Sequence, residues 1–133
     1  MIKLLLVEDN DIVRQGIASL LKAEEDMEVI AEANDGLQAL ELLRSGVHPD
    51  IVLTDLNMPE MDGIELTRQI HLSELSAIKV IILTMHSKQI IVDKALQAGA
   101  KGYLLKNGDF EELYDAIRGV YQNQLYISAG ITS

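Results

Sequence analysis

Short apolar runs alternate along this sequence with stretches of helical periodicity, and this alternation restricts the fold more than any other feature. Continuous apolar runs are typical of parallel strands that are buried on both faces. A repeated strand and helix unit builds one parallel sheet with helices packed on its two sides. The predicted strands are Lys3–Val7, Glu28–Glu32, Ile51–Asp55, Lys79–Thr84 and Gly102–Leu105.

Five helices are expected to cover this sheet, one after each strand. Asp35 with Gln38, and Asp62 with Glu65, have the spacing of a capping box at the start of the second and third helices, so we assign both aspartates to capping. Short right-handed connections favour an α/β fold with an open, doubly wound, five-stranded parallel sheet of strand order 2-1-3-4-5. In such a sheet, ligands bind at the carboxyl ends of the strands.

The net charge of the chain excludes several partners. Its 133 residues are enough for one domain, and they carry 21 acidic against 11 basic side chains, a net charge of −10. Such a chain repels phosphate backbones and anionic membranes, so we expect it to bind neither directly.

The absence of cysteine excludes disulfides and thiolate zinc sites. The first apolar run is too short for a signal peptide or a membrane span, which indicates a soluble, cytoplasmic protein.

Polar residues stand at the carboxyl ends of four of the five predicted strands. Glu8 and Asp9 follow the first strand, Asp55 ends the third, Thr84 ends the fourth and Lys106 follows the fifth. With the first and third strands adjacent, the three carboxylates would converge in one small pocket. Like charges so close raise one another's pKa unless a cation lies between them.

Oxygen ligands without histidine or cysteine favour a hard divalent ion, and magnesium in particular. A carboxylate beside magnesium and a lysine ammonium is equipped to attack phosphorus, because phosphoryl transfer depends mainly on positioning and charge neutralisation. Asp55 is the candidate nucleophile, with Lys106 as the point charge and Thr84 as a hydroxyl donor. Taken alone, an aspartate before proline and glycine is equally well explained as a turn residue, but the other strand ends argue against that reading.

These residues resemble the receiver domain of two-component response regulators over about residues 2–121. Four separated segments agree with that family in residue type, order and spacing, which is far more specific than any single motif. The segments contain Glu8, Asp9, Asp55, Asn57, Pro59, Asp62, Gly63, Thr84, Tyr103 and Lys106. The resemblance implies a flavodoxin-like fold and a phosphorylation-dependent signalling switch.

What the resemblance implies for the chemistry is specific. Asp55 would accept a phosphoryl group from the phosphohistidine of a sensor histidine kinase. Magnesium would be bound by Asp9, Asp55 and the main-chain carbonyl of Asn57, with Glu8 acting through water. Lys106 would pair with the phosphoryl group. Beyond this self-phosphorylation and a slow autodephosphorylation, no enzyme activity is implied.

In the family, Thr84 and Tyr103 would form the switch: the hydroxyl moves to the phosphoryl oxygen and the ring turns inward behind it. The stretches VRQGIASLL and AGAKGYLLK further resemble receivers that carry a helix-turn-helix output domain in transcription regulation. The expected partners are a sensor histidine kinase, a second copy of the chain after phosphorylation, and DNA only through an output domain. We accordingly divide the chain into a receiver over residues 1–122 and a tail or linker over residues 123–133.

Two positions depart from the commonest receiver pattern, and two other function classes remain open. Asn107 follows Lys106 where many receivers have a proline after a cis bond, and His86 with Asn57 leaves the lifetime of the phosphoryl group undetermined.

A metal-dependent phosphatase would share the nucleophile, but it needs an acid where Asn57 stands. A receiver-like interaction module without phosphorylation is the other alternative, and the complete acid, threonine and lysine set argues against it.

Overall fold

The computed structural model describes residues 1–107 and 109–132, which form one parallel sheet flanked by five helices. The strands are β1 (Ile2–Val7), β2 (Met27–Ala33), β3 (Ile51–Asp55), β4 (Lys79–Thr84), β5 (Gly102–Leu105) and β6 (Tyr126–Ile127). The helices are α1 (Asp11–Lys22), α2 (Gly36–Arg44), α3 (Gly63–His71), α4 (Gln89–Ala98) and α5 (Phe110–Tyr121). Strand order across the sheet is β2-β1-β3-β4-β5-β6, and all pairs are parallel.

The predicted doubly wound sheet and the order of its first five strands are confirmed, and the sheet has in addition the short strand β6. Strands β3, β4 and β5 begin and end at the predicted residues, and β1 and β2 extend slightly beyond them. The additional strand β6 lies within residues 123–133, which we had expected to be a tail or linker; Ser133 lies outside the described residues. Strand β6 has only two residues, too few to show a strand periodicity, so the sequence pattern did not predict it.

Two apolar layers lie on opposite faces of the sheet, because successive side chains of a strand point to opposite sides. Leu5 and Val7 of β1 face the layer covered by α2, α3 and α4. Leu4 and Leu6 face the layer covered by α1 and α5. This division is the doubly wound arrangement, and it leaves the strand ends free at one edge of the molecule. Among the described residues, no helix is long and apolar enough to cross a membrane.

Aspartates cap the second and third helices as predicted. The Asp35 carboxylate accepts a hydrogen bond from the Gln38 amide at 2.8 Å, and the Asp62 carboxylate accepts one from the Glu65 amide at the same distance of 2.8 Å. Each satisfies one of the amide groups that have no partner inside the helix. The two caps fix where α2 and α3 begin, next to the strand ends that carry the polar residues.

Replacing Ile81 by alanine is expected to destabilise the fold strongly. Ile81 lies on β4 and is fully buried in the layer beneath α1 and α5, so the substitution leaves a cavity and lowers the free energy of unfolding by about 2–5 kcal/mol. Urea denaturation followed by circular dichroism measures this loss. Ile90→Ala, at a side chain that is 65% exposed, is the control and should change stability by no more than about 0.5 kcal/mol. Equal losses in the two variants would contradict the assigned layers.

Candidate functional site

Three carboxylates meet at the carboxyl ends of the adjacent strands β1 and β3. Glu8 and Asp9 follow β1, Asp55 ends β3, and one oxygen of each lies within 4.8 Å of the others. Glu8 is buried, Asp55 is half-buried and Asp9 is exposed, so the cluster opens to solvent on the side of Asp9. The convergence predicted from the strand ends is therefore observed.

Lys106 lies between two of these carboxylates. Its Nζ atom lies 2.9 Å from Oε1 of Glu8 and 3.3 Å from Oδ1 of Asp55. Burial works to lower the pKa of Lys106, but the hydrogen bond to Glu8 and the negative charges of Asp55 and Glu8 outweigh it, and the pKa is raised. Lys106 therefore stays an ammonium at neutral pH and compensates part of the negative charge of the cluster.

Asp9 has the least compensated charge of the three. Burial, a hydrogen bond to Glu8 and the negative charge of Glu8 raise the pKa of Asp9 above its ordinary value. A donor set that consists of oxygen atoms, with excess negative charge and one side open to solvent, fits a hard divalent cation. The residues present thus fit a hard divalent cation, which the group of Glu8, Asp9 and Asp55 could hold.

The Asp55 carboxylate is oriented by its own loop. Its Oδ1 accepts a hydrogen bond from the Leu56 amide at 2.8 Å, and the Leu56 carbonyl accepts one from the Gly63 amide at 2.8 Å. A Cβ atom at Gly63 would lie 2.3 Å from the main-chain oxygen of Asp55, so only glycine permits this close approach. The loop from Asp55 to Gly63 is therefore tied back onto the end of β3.

Glu8 is positioned by partners on three sides. One carboxylate oxygen accepts from Nζ of Lys106, and the other accepts from the Asn10 amide at 3.1 Å. Its main-chain carbonyl accepts from Nη1 of Arg14 at 2.8 Å. The Arg14 guanidinium also contacts Asp11 at 2.7 Å and Glu32 at 3.3 Å, which joins β1, α1 and β2. Sequence reasoning missed Arg14, because an arginine in an amphipathic helix has no distinguishing pattern.

The two predicted switch residues meet at His86. Oγ1 of Thr84 accepts a hydrogen bond from the His86 amide at 3.2 Å, and the Tyr103 hydroxyl donates to the His86 carbonyl at 2.7 Å. The Tyr103 ring is fully buried, so it already occupies an inward position. The side chains of Asn57 and His86 are in hydrogen-bond contact, which links the loops that follow β3 and β4. Within the described residues no peptide bond is cis, so the bond before Asn107 is trans.

This arrangement of strand order, acidic cluster and lysine agrees with a family model, the response regulator receiver domain, which matches residues 4–118. The chain belongs to the response regulator receiver family. It is 40% identical to the response regulator GacA of Pseudomonas aeruginosa over 98% of this chain and 60% of that protein. The chain spans less than two thirds of the length of the curated relatives with the strongest matches.

Solved structures of other receivers share the fold. A response regulator of the LuxR family from Aurantimonas superposes with a TM-score of 0.91 at 38% identity, over 97% of this chain and 91% of that one. The isolated receiver domain of RcsB from Salmonella enterica, solved in the presence of the phosphomimetic BeF3−, superposes with a TM-score of 0.87 at 25% identity, over 98% of this receiver and 95% of that chain. The similarity covers both layers and every strand end described above.

Asp9→Asn is expected to make the metal-free receiver more stable at neutral pH. The raised pKa of Asp9 means that its charged form is disfavoured in the folded state. Neutralising the side chain therefore raises the free energy of unfolding, by roughly 0.5 kcal/mol. The gain is small because solvent screens the charge of an exposed group. The difference should shrink as the pH falls through the raised pKa, because Asp9 is then neutral in the wild type also. Urea denaturation with a metal chelator at several pH values measures it.

The matched control for this prediction is Glu25→Gln, which removes an exposed carboxylate remote from the cluster. It should show no pH-dependent gain of the same size. A metal-free wild type that is more stable than Asp9→Asn at neutral pH would contradict the crowding of charge inferred here.

Proposed function

We propose that this receiver is a phosphorylation switch in which Asp55 accepts a phosphoryl group from the phosphohistidine of a sensor histidine kinase. One observation carries the proposal: the Asp55 carboxylate lies 3.3 Å from the Lys106 ammonium and close enough to Glu8 and Asp9 to share a cation with them. A carboxylate oxygen of Asp55 forms a bond to phosphorus, the phosphorus–nitrogen bond breaks, and the imidazole leaves with a proton. Lys106 pairs with the negative charge of the phosphoryl oxygens.

The cation that fits this site is Mg2+, held by Asp9, Asp55 and the main-chain carbonyl of Asn57. Glu8 acts through water in this assignment, because its two carboxylate oxygens are already engaged by Lys106 and by the Asn10 amide. When bound, magnesium supplies neutralisation of the charge that develops on the phosphoryl oxygens. Proton competition for Asp9, whose pKa is raised, makes magnesium binding weaker as the pH falls.

Thr84 and Tyr103 transmit the effect of phosphorylation at Asp55 to the surface of the receiver. Thr84 is 2% exposed and its hydroxyl accepts a hydrogen bond from the His86 amide, so turning the hydroxyl toward a phosphoryl oxygen alters the segment after β4. Tyr103 is inward before phosphorylation and bound to the His86 carbonyl, so phosphorylation stabilises this ring position instead of creating it. The two residues thereby link the phosphoryl group to the surface formed by β4, α4 and β5.

The downstream step is control of transcription through an output domain, because several relatives are named transcriptional regulatory proteins. The phosphorylated surface would favour a homodimer, and DNA would be bound by the output domain, since this acidic chain repels phosphate backbones. We place the protein in the cytoplasm with its kinase partner. Its own activity is limited to magnesium-dependent self-phosphorylation and slow autodephosphorylation, because the Asn57 amide cannot supply the proton that turnover of phosphate esters requires.

A small phosphodonor such as acetyl phosphate, with Mg2+, is expected to add one phosphoryl mass to the wild type and none to Asp55→Asn. Asp55 is the proposed acceptor of the phosphoryl group, and the amide oxygen of asparagine is too weak a nucleophile to replace its carboxylate. Intact-protein mass spectrometry measures the adduct. Asp35→Asn is the matched control: it alters a capping carboxylate at another strand end and should be phosphorylated normally. An adduct on Asp55→Asn, or none on the wild type, would refute the assignment.

Lys106→Met is expected to slow phosphorylation by acetyl phosphate by about 100-fold, because it removes the ammonium that lies 3.3 Å from the Asp55 carboxylate. The rate is followed by mass spectrometry at saturating magnesium. Lys101→Met removes an exposed lysine before β5 and should leave the rate unchanged. Equal rates in the two variants would show that Lys106 does not take part in the transfer.

A further inference from the structure

Residues 126–132, which we call the C-terminal strap, form hydrogen bonds with β5, which precedes Lys106, and with the segment that follows Thr84 at the end of β4. The strap begins with β6, where the Tyr126 amide donates to the Lys101 carbonyl at 3.1 Å and the Ser128 amide donates to the Tyr103 carbonyl at 2.9 Å. This segment lies beyond residues 4–118, the part that matches the family model. The family model therefore assigns no role to this segment.

Ser128 fixes the end of β5 next to Lys106. Its side chain is 4% exposed, and its Oγ accepts a hydrogen bond from the Leu105 amide at 3.1 Å and donates one to Oε1 of Glu112 at 2.7 Å. Leu105 immediately precedes Lys106 in the chain. The hydroxyl thus joins the last residue of β5 to α5, and a change in the position of Lys106 is transmitted to Ser128.

The end of the strap fixes the segment that follows Thr84. The Thr132 amide donates to the Ser87 carbonyl at 2.7 Å, and the Thr132 carbonyl accepts from the Gln89 amide at 2.7 Å. Helix α4 has no side-chain cap at Lys88, and the Thr132 carbonyl satisfies the Gln89 amide, one of the first-turn amides that have no partner inside the helix. The amino terminus of α4 therefore depends on the strap.

Two further residues hold the strap in this path. Gly130 has φ of 89°, a left-handed conformation that glycine adopts readily, and it turns the chain between Ser128 and Thr132. Ile131 packs against the apolar layer that contains Tyr103 and Leu105. The strap is consequently seated by side-chain burial as well as by hydrogen bonds.

We propose that the C-terminal strap positions the strand ends of the phosphoacceptor site and is released when Asp55 is phosphorylated. This inference rests on the function proposed above. In the described arrangement the Thr84 hydroxyl holds the His86 amide, and the strap holds Ser87 and Gln89 of the same segment. A phosphoryl group that binds both Thr84 and Lys106 shifts the ends of β4 and β5, which the strap connects. By linkage, docking of the strap and phosphorylation oppose each other to the same extent.

Amide hydrogen exchange in the wild-type chain tests the release. With acetyl phosphate and Mg2+, exchange at the Ser128, Thr132 and Gln89 amides should become about tenfold faster, while core amides of β1 stay protected. Asp55→Asn under the same conditions is the control and should show no acceleration. A phosphoryl adduct without faster exchange, or with slower exchange, overturns the strap proposal and leaves the proposed function intact. Absence of the adduct overturns the proposed function, and the strap proposal with it.

A reversible lock provides the reciprocal test. Lys88 and Thr132 are partners in a parallel bridge, at a spacing of about 4.8 Å, which a disulfide can span. The wild-type chain contains no cysteine that could compete with an engineered pair. In K88C/T132C, oxidation should lower the apparent affinity for beryllofluoride, a stable mimic of the phosphoryl group, by about tenfold, and reduction should restore it. The single variant Thr132→Cys should not respond to the oxidant. Equal affinities in the oxidised and reduced forms, with the disulfide verified by mass, would overturn the proposal.

Discussion

The structure of the site depends on one electrostatic constraint, the meeting of three carboxylates at the ends of two adjacent strands. Glu8, Asp9 and Asp55 come within 4.8 Å of one another, and Lys106 compensates only part of their charge. Left without a further cation, the cluster works against folding, because like charges at this distance raise one another's pKa. The sheet tolerates the repulsion because two apolar layers stabilise it, and the excess negative charge makes the pocket receptive to a cation.

The same strand ends connect the pocket to the rest of the surface. Thr84 ends β4 and Lys106 follows β5, and the segment that leads from Thr84 into α4 begins directly beside the pocket. Tyr103 and the C-terminal strap both bind this region, one from within the core and one from outside. We therefore regard the segment after β4 as the element with two arrangements, whose equilibrium the phosphoryl group and the strap shift in opposite directions.

Sequence reasoning recovered those parts of the receiver that local pattern and chemistry determine. The bounds of β3, β4 and β5, the caps at Asp35 and Asp62 and the convergence of the acids follow from apolar runs, capping spacing and strand order. Features made by distant contacts were missed. β6 is too short to give a periodic signal, and Ser128 is indistinguishable from a loop serine. Arg14 shows its role only through its contacts with Glu8, which follows β1, and Glu32 on β2.

A manganese soak of receiver crystals tests the central claim most directly, because manganese occupies magnesium sites and its anomalous scattering locates it without assumptions about the ligands. The account predicts one strong peak between the carboxylates of Asp9 and Asp55, with the Asn57 carbonyl as a further ligand. No peak at the cluster at millimolar manganese, or a peak that involves neither Asp9 nor Asp55, would contradict it.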